Sequence, residues 1–468
     1  MRKRIRGGLI ASLIVLALLA VGADIWLATS KGPVFCPPNA RWLVAIGDFP
    51  GAYKKFLRSN LAGILYEELP QYRADWQLAV RQDTGIRPTP ARWRVWLGRR
   101  FLGAVTQDGP GACVRPGILV RGADAVRGLG RGRPSIRRFG PYYYGWRQGA
   151  LVFSRSEQYV IDSLAAKPFM PMPSEDDNEI WVYEQEARSA LRLVPGKNSF
   201  EGWFGAFSRQ PDPLPPDWNL PPMEPAIAWV AGPDMQDLRV IGATAYGMLE
   251  HHTKLTDRPW FKLAAVLLAK GLKPWAFDML PANWDDPVEG IQLALLDLDT
   301  SEPLPVPEVA AVFKAKGDAA GPHPLQPMAA AGPAMPYEWD GHPGTVAPRA
   351  GEKAALCLTR AGACWLAASQ EPAMARLLRE MDTSGKPFEG EPGRVAVVAV
   401  NFAKSAAKAE WLARQGAKLE LTPGVNAADL EKNVMPLLRA LGRLGRLQLD
   451  FYADGDRLRF TGSLRAGL

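Results

Sequence analysis

Arg147-Gln148-Gly149-Ala150-Leu151-Val152-Phe153-Ser154-Arg155-Ser156 and Arg360-Ala361-Gly362-Ala363-Cys364-Trp365-Leu366-Ala367-Ala368-Ser369 are the two stretches whose reading decides the fold. Each sets a glycine-bearing turn before a short apolar run that ends in serine. Glycine supplies the positive φ that tight turns need, so each reads as a β-hairpin turning into its second strand. Each is then followed by a helix-like segment, Glu157–Leu164 and Gln370–Leu378. Weaker echoes keep the same order along the chain: Pro90–Trp93 with Pro281–Trp284, Ala187–Ala190 with Ala403–Ala406, and Leu238–Gly242 with Leu458–Gly462. Phe56–Leu65 likewise resembles Phe261–Leu268. Collinear echoes imply an internal duplication.

Outward from the hairpins, the copies read alike. An amphipathic helix comes first (Tyr53–Leu69; Trp260–Leu272), then apolar or alternating strands (Arg94–Val105; Gly290–Leu298). After the hairpin and its helix, a strand leads into another helix: Ile180–Tyr183 then Ala187–Leu193, and Val395–Val400 then Ala403–Gln415. A hairpin closes each copy, Ala226–Tyr246 in the first and Gln448–Leu464, turning at Asp454-Gly455, in the second. Strands interleaved with helices predict an α+β fold of two tandem, weakly related modules, residues 40–250 and 258–468, with mostly antiparallel sheets and packed helices. Proline-rich linkers run through Lys167–Glu179, Gln210–Pro225 and Asp318–Ala350, and the last reads as a poorly ordered insert, residues 318–350.

Residues 1–30 form the remaining segment. Arg2, Lys3, Arg4 and Arg6 precede an apolar run from Leu9 to Ala28, interrupted by Asp24. A helix of that length spans about 30 Å, a bilayer core, and the basic flank predicts a cytoplasmic N-terminus. The alternative is a signal peptide cut after Val21-Gly22-Ala23. Either way the bulk of the chain is expected in a bacterial periplasm, in the anchored case as a single-pass inner-membrane protein.

Composition narrows the class. The chain has 468 residues, 47% hydrophobic and 22% charged, which excludes a wholly disordered polymer. Four cysteines exclude a disulfide scaffold, and four histidines leave little for a histidine-rich metal site. Net charge is +8, unevenly spread. Between Arg87 and Arg155 there is no lysine, and Asp108 and Asp124 are the acids. Arg127, Arg131, Arg133, Arg137 and Arg138, close to Tyr142-Tyr143-Tyr144, form a candidate anionic-partner patch. An exported protein directs that patch to anionic lipid or a cell-wall polymer rather than to nucleic acid. A plain solvated face is the bland alternative.

With these modules, and with a tryptophan, a strand and a glycine-turn hairpin ending in serine (Trp93–Val105; Tyr142–Ser156), the chain resembles uncharacterised bacterial signal-anchored envelope proteins with duplicated strand–helix modules. The resemblance implies a periplasmic domain over most of residues 40–468. It carries over no catalytic residue.

Motifs for chemistry are few. Ser405-Ala406-Ala407-Lys408 fits Ser-x-x-Lys, but the accompanying lysine of a Lys-Thr-Gly strand is missing at Phe460-Thr461-Gly462. His251-His252 are adjacent and point different ways, and His323 and His342 lie in the proline-rich insert. Glu175-Asp176-Asp177 with Glu179 lacks the spacing of a calcium loop. Asp297 and Asp299 alternate on a strand as a candidate carboxylate pair. Cys357 and Cys364 face each other if the hairpin centres on Arg360-Ala361, and Cys36 with Cys113 is a second candidate disulfide. No phosphate loop, dinucleotide fingerprint or His-Glu-x-x-His motif is present. The expectation is a non-enzymatic, membrane-anchored scaffold that binds other envelope proteins and needs no cofactor. The alternatives are a carrier of an apolar ligand in a sheet-lined groove and an envelope hydrolase.

Overall fold

The computed structural model describes residues 32–84, 89–117, 120, 136–169, 179–184, 189–194, 199–206, 212–214, 226–240, 242, 287–299, 306–317, 321–348, 355–383, 393–418, 428, 430–455 and 457–465. The chain divides into two compact units, Met1–Gly205 and Ala206–Leu468.

In the first unit, β1 (Trp42–Ile46) leads to four helices: α1 (Phe49–Leu57), α2 (Asn60–Glu68), α3 (Pro70–Thr84) and α4 (Pro90–Trp96). The starts of α2 and α4 follow capping rules. Ser59 Oγ accepts the Ala62 N–H at 3.2 Å, and Thr89 Oγ1 accepts the Arg92 N–H at 3.3 Å with Pro90 opening α4. Strands β2 (Phe101–Thr106), β3 (Gly109–Val114), β4 (Ile136–Phe139), β5 (Tyr142–Arg147) and β6 (Ala150–Ser154) follow, then α5 (Glu157–Ala165). Strands β7 (Ile180–Glu184), β8 (Ser189–Leu193) and β9 (Ser199–Ala206) complete the unit. The sheet order is β4-β5-β6-β3-β2-β1-β7-β8-β9, antiparallel throughout. Gln148 and Gly149, both at positive φ, make the tight β5–β6 turn. Phe35, Leu43, Leu102, Val152, Tyr159 and Val160 form the core. The Tyr159 ring lies so close to β3 that a Cβ on Gly111 would fall 2.3 Å from it.

The second unit opens with β10 (Ala228–Gly232), β11 (Val288–Asp299) and β12 (Val306–Ala315), then α6 (Gln326–Ala330). Four strands follow, β13 (Met335–Trp339), β14 (His342–Pro348), β15 (Ala355–Ala361) and β16 (Cys364–Ala368), and then α7 (Glu371–Thr383). Strand β17 (Arg394–Asn401) runs into α8 (Phe402–Lys418). A π-helical turn (Leu430–Val434) precedes α9 (Met435–Arg443), and β18 (Arg446–Asp454) and β19 (Arg457–Arg465) close the unit. The order is β13-β14-β15-β16-β12-β11-β10-β17-β18-β19, again antiparallel. The middle strands are buried on both faces. Met374, Leu377 and Leu378 of α7 pack on one side with Val312, Leu366 and Val397, and Leu325 and Met328 pack on the other with Ile291, Phe313 and Trp365. That explains the unbroken apolar runs Val309–Phe313 and Cys364–Ala368.

The two orders are the same once β13 is set aside: β1, β2 and β3 correspond to β10, β11 and β12, β4–β6 to β14–β16, and β7–β9 to β17–β19. In both, the hairpin at Arg147 or Arg360 returns to pair with the third strand. Two of the weaker echoes do not survive. Ser189–Leu193 is strand β8 whereas Ala403–Ala406 is helical, and Leu238 lies in a helical turn whereas Leu458 lies in β19. The strand expected at Ala226–Ala231 to close the first module is β10, Ala228–Gly232, which pairs with β11 and β17 of the second unit.

Three expectations are corrected. The fold is mostly antiparallel sheet, nineteen strands against nine α-helices among the described residues, not a helix-anchored α+β fold. No helix among the described residues is long and apolar enough to cross a membrane, so the expected single-pass inner-membrane anchor is not supported. The segment Leu9–Ala28 itself lies outside the described residues. Finally, residues 321–348 of the expected poorly ordered insert carry α6, β13 and β14, because Leu325, Met328, Trp339 and Val346 have core to bury into.

Candidate functional site

Among the described residues, a group of ionisable side chains meets in the second unit where β11 ends and β12 begins. The β11–β12 register jumps between Leu295 and Asp297, leaving Leu296 over as a bulge. Beyond it Asp297 stands opposite Glu308, and Leu298 opposite Pro307, which has no N–H to give. Helix α8 supplies what the ladder lacks. Asn401 caps it, Oδ1 accepting the Lys404 N–H at 3.1 Å. Lys404 and Lys408, four residues apart, share a face. Lys404 Nζ donates to the Leu296 carbonyl at 3.0 Å, and Lys408 Nζ to the Leu298 carbonyl at 3.1 Å. Lys408 also meets Asp297 Oδ1 at 2.7 Å, with Lys404 at 3.9 Å from Oδ2. From α7, Arg376 Nη1 lies 3.3 Å from Glu308 Oε2.

The ionisation of these groups follows from their setting. Burial pushes the Asp297 carboxyl up, but the Lys408 ammonium, the Leu298 amide and the charge of Lys404 together outweigh it and hold it below the usual range. Burial raises Glu308, only partly offset by Arg376. Burial lowers Lys404, against the pull of Asp297. The geometry is that of a staple fixing α8 to a strand end. Ser405 is committed elsewhere: its hydroxyl donates to the Asn401 carbonyl at 2.8 Å. With Lys408 held by Asp297 and Leu298, the Ser-x-x-Lys residues are not assembled as a nucleophile and its base. Asp297→Asn leaves two ammonium groups facing each other. It is expected to cost about 1 kcal/mol, the side chains being partly solvated. The loss should read as a lower urea midpoint at neutral pH and vanish in a Lys404→Met/Lys408→Met background; an equal loss there would refute the staple.

The other candidates are placed as follows. Arg127, Arg131 and Arg133 lie outside the described residues, as do His251, His252 and residues 175–177. Arg137 and Arg138 lie on β4, opposite Tyr144 and Tyr143. Glu179 is buried and accepts Trp181 Nε1–H at 2.8 Å and Arg192. All four cysteines are buried and free. The β15–β16 register sets Cys357 opposite Ala368 and Cys364 opposite Ala361, so the turn is Gly362-Ala363 and the thiols stand about 13 Å apart along the strands, beyond disulfide reach. Cys36 and Cys113 share one core cluster, where the Phe35 N–H donates to Cys113 Sγ at 3.2 Å. Burial pushes Cys36 up to about 11 and Cys113 up to about 12. His323 is buried, its Nδ1 accepting the Leu325 N–H at 3.0 Å and its Nε2 donating to the Leu366 carbonyl at 3.0 Å. Both nitrogens are therefore taken, and it has none left for a metal. His342 lies on β14.

Sequence reasoning missed one carboxylate group, Asp212, Asp234 and Asp237, whose oxygens lie within 4.8 Å of one another. Main-chain bonds explain it. Asp234 Oδ1 caps a helical turn by accepting the Asp237 N–H at 2.7 Å, and Asp237 Oδ2 accepts the Asp212 N–H at 2.9 Å. Gly232-Pro233-Asp234 before Met235 is the signal that could have revealed the cap. The chain matches no protein-family model, no curated protein and no solved structure.

Proposed function

We propose that the protein is a non-enzymatic interaction module that binds a partner protein through the end strand of its second unit. The observation that carries this reading is β13. Alternation along a strand normally buries one face, yet Met335, Pro336, Tyr337 and Glu338 are all exposed, Met335 by 53% and Tyr337 by 43%. Trp339 anchors the strand, buried against Gly344. Among the described residues β13 pairs only with β14, and it has no counterpart in the first unit. A strand added to a shared framework, burying little of itself, is a feature that folding alone does not require. Methionine and tyrosine are enriched where proteins meet, and Pro336 discourages open-ended strand pairing, so side chains carry the contact. The engagement of Ser405, Lys404, Lys408 and His323 in structural bonds supports the same reading.

A photo-crosslinking phenylalanine analogue at position 337 is expected to trap one discrete partner in cells making the protein, and the same analogue at exposed Asp108 is not. Met335→Glu should weaken that complex by about 2 kcal/mol or more while leaving the unfolding midpoint unchanged. Identical products from both positions, or stoichiometric labelling of Ser405 or Lys404 by an acylating probe, would sink the proposal.

A further inference from the structure

Between Gly109 and Ser156 the described residues include Arg115, Arg137, Arg138, Arg147 and Arg155, and no lysine, aspartate or glutamate. Two of the five bridge distant segments of the main chain. Arg115 donates to the carbonyls of Pro33 at 3.1 Å and Gln148 at 3.2 Å, and Arg147 to those of Leu164 and Ala166, lying over the Phe35 ring. The other three gather at the β4 end of the sheet. The Arg138 guanidinium lies 5.5 Å over Tyr143, its Nε bonded to the Gly140 carbonyl at 3.2 Å, and Arg155 lies 5.5 Å over Tyr142. Tyr142 and Tyr143 are successive residues of β5 and point to opposite faces, so the cations straddle the edge of the sheet.

We propose that this edge of the first unit binds a linear phosphate polymer that wraps it; the site is separate from β13 and does not depend on it. Three observations select the occupant. Arginine without lysine favours phosphate, because the planar fork grips two oxygens of one phosphate where an ammonium is a point charge. A guanidinium already covers a face of Tyr142 and of Tyr143, which takes from a nucleobase the platforms it would stack on. Cations on both faces suit a flexible chain, since a flat bilayer resting on either face would meet only part of them.

The test uses the full chain and an end-labelled inorganic polyphosphate, followed by fluorescence anisotropy at low and moderate salt. Binding is expected to weaken steeply as salt rises. Arg138→Gln with Arg155→Gln should lower affinity about tenfold and flatten the salt dependence, with unfolding curves confirming the fold. Arg414→Gln, which removes a cation held by Glu410 and Glu431 in the second unit, should change nothing. Arg138→Lys keeps the charge and loses the fork, so an intermediate loss is expected even if the double variant fails to fold. Wild-type affinity in Arg138→Lys and the double variant, no binding at low salt, or tighter binding to a single-stranded oligonucleotide or to anionic vesicles would each overturn the proposal.

Discussion

Acidification from pH 7.5 to 4.5 is expected to remove about 2.5 kcal/mol of stability through His323 alone. Burial pushes its imidazole down to about 4 from 6.5, against the weaker pull of its bond to the Leu366 carbonyl. The ring is neutral in the fold, accepting from Leu325 and donating to Leu366, with Phe313 edge-on beside it. Below pH 6.5 the unfolded chain takes up a proton that the folded chain refuses until about pH 4. Stability is therefore complete above 6.5 and is lost as pH falls through that window. His323→Gln can keep the bond to Leu366 but leaves the Leu325 N–H without its acceptor, a cost of about 1–2 kcal/mol at neutral pH. The variant should thus start less stable at pH 7.5, cross the parent between about pH 6 and 5, and be the more stable of the two by about 1 kcal/mol at pH 4.5, read from urea midpoints at each pH. Parallel pH profiles would show that His323 is not the titrating group.

The parts of this fold that could be read in the sequence are those whose signals are local. The hairpins at Arg147 and Arg360 announced themselves by a glycine turn before an apolar run, and they sit at the same place in both sheet orders. The β13–β14 hairpin carried an equally plain signal in Asp340-Gly341, both at positive φ. It was hidden by the proline and alanine around it, which suggested disorder, because composition does not reveal that Leu325 and Trp339 find a core to enter. Ala187–Leu193 reads as helix in the sequence, but β7 and β9 hold Ser189–Leu193 as strand on both sides. Tertiary pairing overrides a propensity that weak. For the site, Asp297 and Lys408 each stood out alone. Their meeting did not, since it depends on a bulge at Leu296 and on a helix more than a hundred residues away.

Gly98→Ala is expected to cost about 3 kcal/mol or more. Arg94–Val105 alternates like a strand, yet Pro90–Trp96 is helix α4, started by Thr89 and Pro90 and ended at Gly98. Gly98 takes φ +70°, and its N–H reaches back to the Arg94 carbonyl at 3.1 Å, the usual close of a helix. Any side chain there bears the left-handed penalty. It also meets a wall, because a Cβ would lie 1.9 Å from the Arg115 carbonyl oxygen. That carbonyl cannot easily retreat. The Arg115 N–H is bonded to Leu97, and its side chain holds Pro33 and Gln148, so moving it pulls on the segment that enters the core. Gly63 is the contrasting case: it lies inside α2 with nothing within 4 Å of the added Cβ. Gly63→Ala should stabilise by about 0.5–1 kcal/mol through helix propensity. Opposite shifts of the unfolding midpoint for the two substitutions are therefore expected in the same unit. A near-neutral Gly98→Ala would mean that the turn after α4 is not held against Arg115, and the strand-like reading of Arg94–Val105 would regain its force.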